Sequence, residues 1–503
     1  MSDTAVAESG TRLQNFLDRA GLRGFPWKTA IILYTISYGW FWNVRNSFWS
    51  DDWRIWVAPS VDGTNLDPFG FAPWIFINND LFDVVGPSWM RLAIFLFFFT
   101  AGLFIYGIFN SFSKLTQFER RIITLLFLLL PFNSVRVALH VFHYSQAYFY
   151  FFFGWYLLTI SKKTSMFFMA CCLFFLSFQM HSLVLFFVLP LLFFLRQFRT
   201  NQMLKSKSRL AVLIALPVLY VIGRSLFWSA SNSYHSFSIT EIVTLIEFWV
   251  AVTIVVGLSM LIVKRWSSGS QILISLGFFI CLLGLSAYIL YQKFGTRQEI
   301  AVNFFMYTFA RSDWASRHLI LQPLGVSLII VGSFRVLQIR SEKIRNYFFG
   351  VLLSISVILN AGFGFEYVVD YSKQQAVVEK LESSGEVAGV DEYMFADQSF
   401  MNARGRLYRP RDWWGLVWTA YGLDSAERAE ILPSCEGGED GRFVEINGPE
   451  THWQALKNWV GDGDMGFEVT IDDSPGACKP ELMQIERVSG VIPILFYFTG
   501  AKG

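Results

Sequence analysis

Apolar segments of similar length recur along most of this chain, at residues 28–46, 89–110, 121–137, 144–161, 164–180, 182–198, 210–228, 241–263, 270–290, 318–336 and 346–364. A helix rises 1.5 Å per residue, so about 20 mostly apolar residues match the roughly 30 Å hydrocarbon layer of a bilayer. Several segments are short or broken by polar residues, and the pattern as a whole predicts about eleven transmembrane helices. Beyond residue 364 the pattern changes. A helical period from Tyr371 to Leu381 is followed by a strand-like run from Glu392 to Ala396, an aromatic block from Tyr408 to Tyr421, and many Gly, Asp and Glu turn signals. The expectation is an N-terminal tail over 1–26, an α-helical polytopic membrane bundle over 27–364, and a small soluble α+β domain over 365–503.

Composition supports that division. Hydrophobic residues make up 53% of the 503 positions and charged residues 16%, against about 25% charged in an average soluble domain. The net charge of +2 conceals an asymmetry: 29 basic against 15 acidic residues up to position 364, and 12 against 24 after it. An N-terminus inside the cell assigns Lys114/Arg120/Arg121, Lys162/Lys163, Arg196 to Arg209, Lys264/Arg265 and Arg335 to Arg345 to the cytoplasm, as the positive-inside rule requires. An odd number of spans then puts the C-terminal domain on the extracytoplasmic, or periplasmic, face. Residues 1–26 contain Arg12, Arg19 and Arg23 without a compact apolar core and cleavage site, and read as a cytoplasmic tail, not a signal peptide. Cys171, Cys172 and Cys281 lie in apolar runs, where small buried side chains are expected. Cys435 and Cys478 lie in the polar C-terminal domain, where an oxidising compartment makes them candidates for a disulfide.

The outer loops carry polar residues that topology does not require. Immediately after the first apolar segment the chain reads Ser47-Phe48-Trp49-Ser50-Asp51-Asp52-Trp53-Arg54. Two carboxylates between Trp49 and Trp53, at the depth where aromatic side chains anchor to the interface, suit either a general base acting on a hydroxyl or a divalent-cation ligand. The plainer alternative is that one of them caps a helix beginning at Trp53.

A transmembrane helix followed at once by an acidic pair in a long first outer loop resembles the GT-C superfamily of membrane glycosyltransferases, and the Ser-Asp-Asp-Trp string is similar to that of many bacterial members. The resemblance implies a helical bundle over about residues 28–364, a polyprenyl-phosphate sugar as donor, and Asp51 or Asp52 as the catalytic base. It also implies a bacterial inner-membrane location and an acceptor that is a glycan, a lipid or a protein. It implies no cofactor beyond a divalent cation that the pair could hold.

Further residues fit a lipid-phosphate donor. Arg136, His140 and His143 stand where the third and fourth apolar segments meet the outer face, with Tyr144 beside them as a lining aromatic. If that stretch is helical, the four-and-three spacing puts all three cations on one face; interfacial histidines without a ligand are the alternative. Arg311, Arg317 and His318, with Lys293 and Arg297, break the positive-inside trend in the last outer loop. Either a phosphate or the acidic C-terminal domain and lipid headgroups would compensate them. Arg404, Arg406, Arg409 and Arg411 interleave with Tyr408, Trp413, Trp414 and Trp418, a pattern that fits helix packing or stacking on sugars. Walker-type loops, zinc spacing, nucleophile elbows and nucleic-acid motifs are missing from the sequence. Two rivals share the same surface: a polysaccharide polymerase or ligase, and a non-enzymatic transporter of lipid-linked glycans.

Overall fold

The structure is a computed structural model. It describes residues 22–44, 47–49, 52–53, 72–112, 115–161, 163–180, 182–200, 207–227, 268–291, 321–338, 341–383, 392–397, 403, 408, 410–421, 430–431, 466–472 and 481–488. The described residues are mostly helical. In chain order the helices are α1 (Trp27–Tyr38), α2 (Ala72–Asn110), α3 (Gln117–Leu129), α4 (Phe142–Ile160), α5 (Thr164–Ser177), α6 (Ser182–Phe186), α7 (Val188–Thr200), α8 (Lys207–Phe227), α9 (Ser268–Tyr291), α10 (Gln322–Val336), α11 (Glu342–Ser383) and α12 (Pro410–Tyr421). Among the described residues two stretches, Gly86–Asn110 of α2 and Glu342–Ser383, are long and apolar enough to cross a membrane. The expected segment at 241–263 lies outside the described residues.

Local chemistry explains where several of these helices begin and end. Helix α2 is two helices joined at Gly86, whose φ of 73° is open to glycine and costly for residues with a Cβ. Pro87 follows at the first position of the second half, where a missing N–H costs nothing. The helical region therefore starts at Ala72, well before the apolar run that begins at residue 89. Thr116 and Glu119 form a reciprocal capping box at the start of α3, and Glu119 also pairs with Arg335 of α10. Helices α9 and α10 pack so closely that a Cβ on Gly277 would lie 2.5 Å from the Gly325 carbonyl oxygen. The interior between α2, α4 and α5 is aromatic: Phe98, Tyr148, Phe151, Phe152 and Phe174 are all buried.

The chain forms two compact units. The first comprises Met1–Ser37, Thr64–Val137 and Val141–Asn360; the second comprises Tyr38–Gly63, Ala138–His140 and Ala361–Gly503. Helix α11 is continuous from Glu342 to Ser383, so the helical period at Tyr371 to Leu381 is its last part and not a separate helix. In the second unit the strands β1 (Glu392–Asp397), β2 (Glu430–Ile431), β3 (Gly466–Asp472) and β4 (Glu481–Val488) form one sheet in the order β2-β1-β4-β3. Strand β1 pairs in parallel with β2 and β4, while β3 and β4 are antiparallel. The β1–α12–β2 crossover satisfies the need of parallel strands for a long connection.

Candidate functional site

The acidic string lies in the second unit. After α1 the chain tightens into a 3-10 turn at Gly39–Val44, and the Ser47 hydroxyl donates to the Val44 carbonyl at 2.6 Å. Asp52 is 0% exposed. Its amide donates to the Trp49 carbonyl at 3.0 Å, and its Oδ2 accepts the Trp49 N–H at 3.3 Å. This backward bond is what an acidic residue at the third helical position supplies in a capping box. Asp52 thus secures the start of a helical turn from within it, whereas sequence places the cap just ahead of Trp53. Trp49 and Trp53 are both buried; Trp49 meets Tyr367 edge to face at 4.9 Å, and Trp53 packs on Phe48 at 4.8 Å. Asp51 lies outside the described residues.

Arg136 lies in the first unit. The stretch expected to carry Arg136, His140 and His143 on one helical face is not a single α-helix. Residues 131–138 turn, Leu139–Val141 form a 3-10 turn, and α4 begins at Phe142. The four-and-three spacing therefore does not put these residues on one helical face, because Arg136 sits in the turn before α4, where the 3.6-residue period is broken. Arg136 is 6% exposed; its Nη1 donates to the Leu128 carbonyl at 3.1 Å, and its guanidinium lies 4.6 Å over the Phe98 ring. Leu128 and Leu129 end α3, and Asn360 donates to the Leu129 carbonyl at 2.6 Å. A cation at the carbonyl end of a helix answers both the terminal acceptors and the macrodipole. His143 and Tyr144 are half-buried in the first turn of α4. His140 is described only in its backbone, in the 3-10 turn. Arg311, Arg317, His318, Cys435 and Cys478 lie outside the described residues.

Several polar residues escaped the sequence. Arg91 in α2 is almost fully buried, and its Nε donates to the Val137 carbonyl at 3.0 Å; an arginine inside an apolar helix is itself a signal, since burying it is costly. In the second unit Asp370 accepts the Ala403 N–H at 2.9 Å and the Tyr408 hydroxyl. Lys373 lies with its Nζ 4.2 Å from the centre of the Tyr408 ring. Both are fully buried, and both stand in α11 where the sequence reads as the start of a soluble domain. Among the described residues no three His, Cys, Asp or Glu side chains gather as a metal site. Cys171 and Cys281 are buried, but Cys172 is exposed, because one step around α5 carries it to the outward face. No protein-family model, curated protein or solved structure matches the chain.

Proposed function

We propose that the chain is a multi-pass membrane glycosyltransferase of the GT-C type, which moves a sugar from a polyprenyl-phosphate donor to a hydroxyl of a glycan, lipid or protein. The observation that carries this is the string from Ser47 to Trp53. It follows the first apolar helix directly and holds the Asp52 carboxylate in a buried aromatic setting with Trp49 and Trp53. A carboxylate held in position can take the proton of a sugar hydroxyl as that oxygen attacks.

In this mechanism Asp51 or Asp52 takes the proton of the acceptor hydroxyl. The oxygen attacks the anomeric carbon, and the bond from that carbon to the phosphate oxygen breaks with its electron pair on the phosphate. Cationic side chains are needed to answer the developing negative charge on the departing phosphate. A bilayer setting is supported by the surface as well as by the two long apolar helices. Ile214, Val218, Leu219 and Ile222 of α8, and Ile355 and Ile358 of α11, are large apolar side chains left exposed, and contiguous faces of that kind mark contact with lipid or partner. The basic clusters favour an N-terminus in the cytoplasm and an extracytoplasmic C-terminal domain; the GT-C resemblance adds the bacterial inner membrane.

The test is sugar transfer from a radiolabelled polyprenyl-phosphate donor by the full chain in membranes. At least one of Asp51→Asn and Asp52→Asn is expected to lose about 10²–10⁴ in rate, the range for general acid–base catalysis, with normal amounts of protein in the membrane. Full transfer by both variants would falsify the general-base assignment.

A further inference from the structure

Phe48, Trp49 and Trp53 belong to the same unit as the region beyond residue 361, and each of them meets it. The Gln374 side chain clamps the Phe48 backbone from both sides: its Nε2 donates to the Phe48 carbonyl at 2.9 Å and its Oε1 accepts the Phe48 N–H at 3.5 Å. One side chain thereby does for Phe48 what a neighbouring strand does in a sheet, and the pairing fixes the peptide on either side of that residue. Further up the same helix, Tyr367 stacks on Trp40 at 5.3 Å and meets the Trp49 ring. Gly364, one turn before Tyr367, lets the Trp40 indole lie against the helix backbone, because a Cβ there would stand 2.4 Å from the Trp40 ring nitrogen. Positions 364, 367 and 374 share a helical stripe, so one face of α11 carries all three contacts.

Helix α12 closes on the other tryptophan. A Cβ on Gly415 would lie 2.1 Å from Cδ2 and 2.3 Å from Cε3 of Trp53, so the indole rests on bare backbone. Asp370 fixes the approach to α12, since it holds the amide of Ala403 and the hydroxyl of Tyr408, and Tyr408 packs on Trp413 at 4.8 Å.

We propose that Gln374 and Gly415 are positioning residues for Asp52: α11 beyond Gly364 and α12 form a wall that holds Phe48, Trp49 and Trp53 around it and so aims its carboxylate. The C-terminal part of the chain is therefore a component of the acidic site and not an appendage. The catalytic half of this statement rests on the glycosyltransferase proposal; the structural half does not.

The experiment reads both halves separately in the full-length protein in native membranes. Ser47, nearly fully buried, is replaced by Ser47→Cys as a near-isosteric reporter, and its modification by a membrane-impermeant maleimide is timed by peptide mass spectrometry. Adding Gln374→Ala or Gly415→Ala is expected to speed modification about tenfold, because the loss of a buried hydrogen bond or an unrelieved steric clash opens the segment more often. In the transfer assay, Gln374→Ala is expected to lower kcat by about tenfold or more with donor KM unchanged, as misplacing a catalytic group does. Unchanged modification in both single variants overturns the wall. Faster modification with an unchanged kcat overturns the positioning role alone. A wild-type chain that transfers no sugar removes the glycosyltransferase proposal and leaves the labelling to decide the wall. If Gln374→Ala does not accumulate, the Gly415→Ala variant decides it.

Discussion

Asp52 and Arg136 are both buried polar residues at the end of an apolar run, and both do work at a helix terminus, yet the chain secures them in opposite ways. Asp52 sits in a string whose backbone is held by Gln374, 326 residues from Phe48. Arg136 reaches back eight residues to the carbonyl of Leu128 and lies over the Phe98 ring of α2. A residue held by near neighbours takes its conformation from local chain geometry, while one held from a distant part of the chain waits for that part to fold. Disturbing the C-terminal unit should therefore reach the acidic string, whereas the surroundings of Arg136 should respond chiefly to changes in α2, α3 and the turn before α4.

The largest effect expected from this contrast is that of Asp370→Ala. It would strip the Ala403 N–H and the Tyr408 hydroxyl of a buried carboxylate acceptor, and each unsatisfied buried group costs about 1–3 kcal/mol, so a loss of roughly 3 kcal/mol is expected. Thermal unfolding in detergent, followed by the accessibility of position 47, measures it. Exposure of position 47 at a lower temperature than in the wild type supports the long-range hold. A lower melting temperature with position 47 still protected until global unfolding breaks the comparison.

Arg136→Met is expected to cost less, about 1–2 kcal/mol. The variant loses a charge-assisted bond to the Leu128 carbonyl and the contact with Phe98, but it also removes the burden of burying a guanidinium, and the two effects partly offset. Its signature is local. Hydrogen exchange should rise at the last turn of α3 while position 47 keeps its protection. Loss of protection at both places would mean that the two regions are not held independently.

Much of the helical pattern is legible in the sequence because hydrophobic length and period survive any tertiary arrangement. The runs at 144–161, 164–180 and 270–290 become Phe142–Ile160, Thr164–Ser177 and Ser268–Tyr291. What is not legible follows from physics that hydropathy ignores. Helix α11 continues to Ser383 through Asp370 and Lys373, although charged residues suggest a soluble surface there. Each of the two has partners inside the fold, and a paired buried charge leaves no trace in a hydropathy profile. The kink at Gly86-Pro87 has a clear local signal, but the helix that precedes it, over 72–85, carries Asn and Asp residues and reads as a loop. The acidic string is visible as chemistry, while its clamp is not: a single glutamine 326 positions away has no signature until the chain is folded.

The smallest effect concerns Asn360, which lies in the same helix as Gln374 but serves the other region. Its Nδ2 donates to the Leu129 carbonyl, next to the carbonyl that Arg136 takes, so two side chains share the end of α3. Replacing it by Asn360→Leu leaves that acceptor without this donor and should cost about 1 kcal/mol, the net worth of one neutral hydrogen bond. Because Arg136 and Asn360 serve adjacent carbonyls of one helix end, the double variant with Arg136→Met should deviate from additivity, as residues that share a network do. Asn360→Leu paired with Gln374→Ala should be additive: the two side chains project from one helix, but one ties the end of α3 and the other ties Phe48. A thermal double-mutant cycle that finds coupling in the second pair and none in the first would show that continuity of α11, and not the identity of the backbone groups being held, governs how these regions communicate.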